Sequence, residues 1–214
     1  VDLINPAWLI FSPGFKATKS RRIVKRLFDL VFATIAVIAL APLMLVIYLV
    51  LKVFEGFDKP AIYRQRRVGY FGREFDVFKF RSMIVDAESD GQARWAEIDD
   101  PRITRIGRIL RKFRLDEMPQ IFNVLAGSMS FVGPRPERPE FVDELKDHIS
   151  YYDERHSVKP GVTGWAQLKY AYGSSENDAQ EKLQYDLYYV KNHNVLLDLL
   201  ILLQTVEVVI WGKG

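Results

Sequence analysis

The sequence predicts an α+β, predominantly helical protein: a membrane helix that re-enters as a hairpin, and a small cytoplasmic domain carrying a β-hairpin and interfacial helices. Three observations predict it. Residues 30–51 carry no charge, are broken near the middle by Pro42 and are flanked by basic residues on both sides. Residues 61–83 alternate with the period of strands about a Gly69-Tyr70-Phe71-Gly72 turn. Most of the remainder places apolar residues at helical spacing.

Bulk properties set outer limits. With 49% hydrophobic and 27% charged residues the chain is not disordered by composition. The absence of cysteine excludes disulfides and thiolate metal sites. Net charge is only +3, but the basic residues crowd around the apolar segment, the pattern of a helix whose flanks face anionic head groups. Nucleic acid is not an expected partner, because no recognition module or aromatic RNA-binding motif is present.

Residues 1–20 form an apolar lead-in with Trp8, Phe11 and Phe15, broken by Pro6, Pro13 and Gly14. It is too short to span a bilayer and suits the interface. Its charges follow its apolar residues, unlike a cleavable signal peptide. Ser20 is the expected N-cap of a basic stretch, Arg21, Arg22, Lys25 and Arg26. The apolar run that follows would reach roughly 33 Å as a straight helix, enough to cross a bilayer core of about 30 Å.

Two features argue against a crossing. Pro42 removes the hydrogen bond to the Ile38 carbonyl and crowds that turn, at about 3 kcal/mol in a straight helix. Lys52, Lys59, Arg64, Arg66 and Arg67 follow the run, so the positive-inside tendency draws both ends to the cytoplasm. Two legs of about 11 residues, each reaching about 17 Å, can enter one leaflet and return. The expected organisation is residues 1–20 as interfacial lead-in, 21–54 as basic and re-entrant helix bent at Pro42, and 55–214 as the cytoplasmic domain.

In the hairpin, strands are expected over residues 61–65 and 75–81. Alternation places Phe78 and Phe80 on one face and Val77, Lys79 and Arg81 on the other, so one face is apolar while the other offers cations. A solvated face explains those cations equally well. Residues 84–99 are polar and acidic, as in a loop or solvent-facing helix. Thr104 can cap a short basic helix containing Ile106, Ile109, Leu110 and Phe113 and displaying Arg105, Arg108 and Arg111.

Residues 138–154 suit a surface helix with Phe141, Val142, Leu145 and Ile149 inward. Pro160, Gly161 and Gly164 make a tight loop before Trp165, an aromatic that either stacks a base or packs in a core. Helical spacing continues over residues 183–190. The run 195–211 is apolar but for Asp198, Gln204 and Glu207, which would be costly at a bilayer centre and favour an interfacial helix. His148, His156 and His193 lack metal-ligand spacing.

The chemistry concentrates in residues 111–136. Ile121, Phe122, Val124 and Leu125 give an apolar face and Ala126-Gly127 a stop, so a helix of about ten residues is expected to start at Asp116 as N-cap. Glu117 would sit just inside, with Pro119 tolerated in the first turn. Acidic residues at a helix start are ordinary capping. Here, however, Arg111, Lys112 and Arg114 lie just upstream, and Gly133-Pro134-Arg135-Pro136 holds another guanidinium on a stiff loop suited to phosphate oxygens. Carboxylates among phosphate-binding cations point to phosphoryl chemistry.

At these residues the sequence resembles the bacterial sugar transferases, the monotopic polyprenyl-phosphate phosphoglycosyl transferases. The matching pieces are Lys79-Phe80-Arg81-Ser82-Met83, Asp100-Pro101-Arg102-Ile103-Thr104, Arg114-Leu115-Asp116-Glu117, Asn123-Val124-Leu125, Phe131-Val132-Gly133-Pro134-Arg135-Pro136 and Pro160-Gly161-Val162-Thr163-Gly164-Trp165-Ala166-Gln167. They run in the family's order over about residues 21–212.

The resemblance implies the re-entrant anchor and a catalytic role for the cytoplasmic domain. It implies transfer of a sugar-1-phosphate from a nucleoside diphosphate sugar, with uracil the expected base, to polyprenyl (undecaprenyl) phosphate. Nucleoside monophosphate would leave, and exopolysaccharide or glycoconjugate assembly would begin on the cytoplasmic face of the bacterial inner membrane. With no His, Cys or Ser arranged for nucleophilic work, Asp116 is the expected nucleophile, kept ionised by the helix N-terminus. Glu117 is the expected ligand of Mg²⁺, which binds through one or two carboxylates plus substrate oxygens. Lys79, Arg81, Arg111 and Arg135 are the expected substrate and phosphate contacts, Arg111 by its position relative to Asp116.

Two departures stand out: Ala41-Pro42 where some small members have Ser-Pro, and Gly127-Ser128-Met129-Ser130 where members often have Gly-Asp-Met-Ser. The rival readings are a nucleotide-sugar phosphohydrolase, a direct glycosyltransferase and a non-catalytic membrane scaffold of a polysaccharide assembly system. A homo-oligomer is compatible with each. The chain opens on Val1 rather than Met, as expected of a fragment, and several family members carry extra N-terminal membrane domains.

Overall fold

The computed structural model describes residues 18–85, 87, 100–170 and 176–211. The expected lead-in lies outside the described residues as far as residue 17, as does nearly all of the acidic stretch 84–99. The described chain is predominantly helical, with one β-hairpin and one short parallel strand pair.

Helix α1 (Lys19–Glu55) is 37 residues long and apolar enough over part of its length to cross a membrane. It begins earlier than Ser20, because the Thr18 hydroxyl accepts from the Arg21 N–H at 3.3 Å and satisfies one of the free donors of the first turn. Pro42 lies inside the helix with its ring exposed. Asp29, Ala33, Val37, Leu40, Met44, Ile47 and Leu51, three or four residues apart, make one stripe along its length. On both sides of Pro42 that stripe packs on the same body: Ala33 and Val37 against Val77, Ile121 and Val124, and Met44, Ile47 and Leu51 against Ala61, Phe80 and Leu110. The opposite face, including Ile23, Leu27, Ile35, Ile38, Leu45 and Val53, is exposed.

The basic stretch at the start of α1 is only partly available to head groups. Lys25 pairs with Asp198 at 2.6 Å. Arg26 donates to the Val124 and Leu125 carbonyls at 2.6 and 2.8 Å, satisfying carbonyls that the end of a helix leaves without intrahelical partners. Arg21 and Arg22 remain exposed.

Strands β1 (Ile62–Val68) and β2 (Glu74–Phe80) form the antiparallel hairpin, with Ile62 opposite Phe80 and Val68 opposite Glu74. The first strand runs past Gln65 because Arg66 reaches Glu74 across the pair and Val68 donates to the Glu137 carbonyl at 2.9 Å. Helix α2 (Arg105–Lys112) starts where expected, its Thr104 hydroxyl accepting from the Gly107 N–H at 2.9 Å. Gly107 lets α2 lie on the Ser82 backbone, since a β-carbon there would stand 1.9 Å from the Ser82 carbonyl oxygen.

Helix α3 (Gln120–Ala126) is shorter than expected and does not start at Asp116; residues Leu115–Glu117 form a 3₁₀ turn ahead of it. Strand β3 (Ser130–Val132) pairs in parallel with β4 (Gly161–Thr163), an element that three-residue strands between turns do not announce. Helix α4 (Pro139–His148) buries Phe141, Val142 and Leu145 as expected, with Ile149 buried just beyond it. Helices α5 (Trp165–Lys169), α6 (Glu176–Asn192) and α7 (Val195–Trp211) complete the described chain. Asp198 of α7 is fully buried between Lys25 and the Tyr189 hydroxyl, 2.7 Å away, while Leu196, Leu203 and Val206 stay exposed.

Candidate active site: an acidic turn clamped by cations

Arg114 adopts a left-handed backbone with φ 53°, which costs an ordinary residue about 1–2 kcal/mol. That residue swings the chain from α2 into the Leu115–Glu117 turn, where the Glu117 N–H bonds the Arg114 carbonyl at 3.3 Å. Asp116 is 8% exposed. Glu117 meets two cations through one oxygen: Arg135 Nη2 lies 2.8 Å and Lys79 Nζ 3.3 Å from its Oε1. The structure therefore brings Asp116, Glu117, Lys79 and Arg135 together, with Arg111 half-buried beside them and acting electrostatically on Asp116.

Arg81 does not join them. Its side chain is 5% exposed and its guanidinium holds Glu55 Oε2 at 2.9 and 3.0 Å and the Pro60 carbonyl. Its place is a structural tie between the end of α1 and the hairpin rather than the expected phosphate contact.

The electrostatics differ from those of a helix N-terminus. Burial pushes the Asp116 carboxyl above its ordinary value and the neighbouring Glu117 pushes it further, while Lys79, Arg111 and Arg135 pull back. Asp116 is thus a desolvated, basic carboxylate, not one kept ionised by a helix dipole. Burial also acts to raise Glu117, but the charges of Arg135 and then Lys79 outweigh it and hold the carboxyl well below the usual range. Burial lowers the Lys79 pKa against the attraction of Glu117.

Three supports were not legible from local motifs. Arg155 donates to the Arg135 carbonyl at 2.9 Å while paired with buried Asp186 at 2.7 Å, so it fixes the loop that carries Arg135. Arg67 donates to the Pro136 carbonyl at 3.0 Å. Asn123 binds the edge of β2, accepting from the Phe78 N–H at 3.0 Å and donating to the Asp76 carbonyl at 2.7 Å. Its membership of the Asn123-Val124-Leu125 piece is the one signal that could have marked it.

The Gly133 and Pro160-Gly161 loops interlock: a β-carbon on Gly133 would lie 2.3 Å from the Lys159 carbonyl oxygen, and one on Gly161 2.1 Å from the Gly133 nitrogen. Two matching pieces of sequence are thereby one structural unit behind Arg135. Ser128, at the departure from Gly-Asp-Met-Ser, donates to the Asn123 carbonyl at 3.2 Å and closes the end of α3. Trp165 packs with Val132, Tyr189 and Ile201 and is met by Tyr188 and by Lys169, 4.6 Å from its ring, which favours the core reading of that residue over a base stack.

Residues 20–212 match the family model described as bacterial sugar transferase. The chain belongs to the bacterial sugar transferase family. Among curated members, the UDP-N-acetylgalactosamine-undecaprenyl-phosphate N-acetylgalactosaminephosphotransferase of Aeromonas hydrophila is 42% identical over 89% of this chain and 44% of its own length. The UDP-glucose:undecaprenyl-phosphate glucose-1-phosphate transferase of Xanthomonas campestris pv. campestris is 43% identical over 89% of this chain and 40% of its own length. An uncharacterised sugar transferase of Bacillus subtilis (strain 168) is 38% identical over 90% of both chains. The chain thus spans less than half the length of the first two relatives.

Among the described residues there is no cluster of three metal-ligating side chains, so an ion at the acidic turn would have to be one that needs few protein ligands, as Mg²⁺ does. That ion takes few protein carboxylates and fills its shell with water and substrate oxygens. Both cations use Oε1 of Glu117, so Oε2 carries neither contact.

Proposed function

We propose that this family member transfers a sugar-1-phosphate from a UDP-sugar to undecaprenyl phosphate at the cytoplasmic face of a bacterial inner membrane. The observation that carries the reading is the acidic turn: a desolvated Asp116 beside a Glu117 held by Arg135 and Lys79. The activities for which the relatives are named supply the substrate classes.

In the first step a carboxylate oxygen of Asp116 attacks the sugar-linked phosphorus. The P–O bond to the bridging oxygen breaks, and nucleoside monophosphate leaves with that electron pair. The phosphosugar then sits on Asp116 as an acyl phosphate, splitting one hard displacement into two. In the second step an oxygen of the polyprenyl phosphate attacks the same phosphorus and the Asp116–phosphorus bond breaks, restoring the carboxylate and giving polyprenyl-diphospho-sugar. Arg135, Lys79 and Arg111 offset the repulsion between carboxylate and diphosphate. Mg²⁺, with Glu117 as its candidate ligand, would neutralise charge on the phosphoryl oxygens.

The anchor is part of the same proposal. The inner stripe of α1 lies against one body on both sides of Pro42, so a crossing would strip one leg of its packing. A re-entrant helix keeps both legs with the cytoplasmic catalytic domain and leaves the outer apolar face to lipid, with α7 at the interface. A soluble nucleotide sugar and a lipid-embedded acceptor can then meet at Asp116, and exopolysaccharide or glycoconjugate assembly starts there.

The deciding assay follows nucleoside monophosphate with and without polyprenyl phosphate. Release that depends on the acceptor supports the transferase. Nucleoside diphosphate release would mean a direct glycosyltransferase, acceptor-independent continuous turnover a phosphohydrolase, and no turnover with any donor a scaffold.

A further inference from the structure

Helix α1 carries two acidic residues among its 37, Asp29 and Glu55. A carboxylate on so apolar a helix is costly unless it turns inward and finds donors. Both do. Asp29 is 1% exposed, and its Oδ1 accepts from the Ser130 hydroxyl at 2.9 Å and from the Phe131 N–H at 3.2 Å. Glu55 uses both oxygens: Oε1 accepts from the Thr104 hydroxyl at 2.6 Å, and Oε2 from Arg81 Nη2 and Nε at 2.9 and 3.0 Å.

These bonds land on the segments that carry the cations of the acidic turn. Phe131 lies in β3, which runs through Gly133 into the loop of Arg135. Lys25, one turn before Asp29, reinforces that end. It pairs with Asp198, which accepts from the Tyr189 hydroxyl at 2.7 Å, and the same hydroxyl lies 2.9 Å from the Val132 carbonyl oxygen. Arg81 follows Lys79 by two residues, and its own N–H bonds the Ala61 carbonyl at 2.9 Å as a continuation of the hairpin. Thr104 caps α2, whose last turn holds Arg111. Lys79, Arg111 and Arg135 thus come from three separate elements, and α1 is the frame they share.

The apolar stripe of α1 sets which side turns inward, but apolar contact is non-directional and tolerates sliding. Hydrogen bonds, restricted in distance and angle, do not. With one set ahead of Pro42 and one at its end, α1 is fixed along its axis against all three elements. We propose that Asp29 and Glu55 are positioning residues for the transfer reaction, holding Lys79, Arg111 and Arg135 at their spacing around Asp116. The inference rests on the transferase reading above. Each carboxylate acts through the cations rather than on substrate, and a shift of about 1 Å in a positioned group costs roughly a hundredfold in rate.

The test uses the full chain in nanodiscs of phosphatidylethanolamine and phosphatidylglycerol, with undecaprenyl phosphate and either UDP-glucose or UDP-N-acetylgalactosamine. Asp29→Leu leaves Ser130 and Phe131 without their acceptor and should lower kcat by about tenfold or more, with the donor KM unchanged. Asp29→Asn keeps a side-chain carbonyl that can accept both bonds, and its kcat should stay close to wild type. Glu55→Leu combined with Arg81→Met removes both charges of the pair together, so neither is left buried alone. That double variant should keep its melting temperature and still lose about tenfold or more in kcat, and it carries the test if Asp29→Leu does not fold. A double variant with wild-type kcat, an Asp29→Asn as impaired as Asp29→Leu, or kcat falling only in step with melting temperature would overturn the proposal and leave the two carboxylates as ties of the fold. A wild-type protein that turns over neither donor with the acceptor would instead sink the transferase reading itself.

Discussion

Asp116→Asn should separate chemistry from folding, because the feature that suits Asp116 to attack is one that costs the fold. Its carboxyl is buried beside another carboxylate, and its pKa is raised by both. A group whose folded pKa is raised loses stability as pH climbs through its unfolded value, so at neutral pH the ionised form is a net burden. The amide is isosteric and uncharged. The variant should therefore keep or raise its Tm, by up to about 4 °C for a domain of this size, while losing turnover and any sugar-labelled protein adduct. Scanning calorimetry beside acid-quench labelling reads both. A variant that still forms the adduct removes Asp116 from the role of nucleophile, and converging rather than parallel initial-rate lines favour direct transfer.

Glu117 has the opposite sign. Its folded pKa lies below the ordinary 4.5, so the stability it adds is complete above that pH and is lost as pH falls below it toward the folded value. Glu117→Gln should flatten the acid limb of a stability–pH curve measured by denaturant titration. It should also weaken the dependence of rate on Mg²⁺, whereas chelation of the wild-type protein should abolish turnover.

At the scale of elements, the strand pair behind Arg135 depends on backbone contact that no side chain can share. Gly133→Ala would drive a β-carbon to 2.3 Å from the Lys159 carbonyl oxygen and 2.8 Å from the Gly161 nitrogen, and neither is the free end of a flexible side chain. Overpacking of this kind costs about 1–3 kcal/mol, and here it also displaces the Arg135 loop. Chemical denaturation should show the loss, and turnover should fall by an order of magnitude or more. An alanine variant with unchanged stability and rate would show that the two loops do not act as one unit.

This pair also marks where the sequence stops being legible. The long helix, the hairpin, the Thr104 cap and the inward faces of α4 could be anticipated because each rests on local periodicity or on one capping side chain. The β3–β4 pair could not, since three residues carry no period and the partners come together only in the fold. The acidic turn shows the same limit on a smaller scale. Apolar spacing over residues 121–125 announces α3, but the left-handed Arg114 that makes Leu115–Glu117 a separate 3₁₀ turn has no sequence signature. Lys79, Glu117 and Arg135 could be grouped by charge type. Arg81 could not be excluded from that group, because its partner Glu55 is 26 residues away at the end of another element. Arg155 stayed hidden for the same reason, 31 residues from Asp186.

For the whole molecule the proposed re-entrant anchor has to explain how a helix long enough to cross a bilayer would be kept from crossing. The basic flanks are weaker determinants than their number suggests, because Lys25, Arg26 and Arg67 are spent on internal partners. In the proposed anchor packing would take over that role. Met44, Ile47 and Leu51 after the proline, and Ala33 before it, are buried on one body. Each larger side chain pulled from such a site loses about 1.5–3 kcal/mol if it meets water, though less in lipid. In the proposed anchor Pro42 would ease the bend without being its sole cause, so Pro42→Leu should shift a minority of molecules toward a spanning form rather than convert all of them. The chain has no native cysteine, so single cysteines at Arg22 and Lys59, both exposed, report topology without background. In inverted and right-side-out vesicles both positions should react with an impermeant maleimide from the cytoplasmic side in the proline form, with a fraction of protected Arg22 or Lys59 sites appearing only in the leucine form. Labelling of the two positions from opposite faces of the membrane in the proline form would overturn the re-entrant anchor, and with it the route by which a lipid acceptor reaches Asp116 from one leaflet.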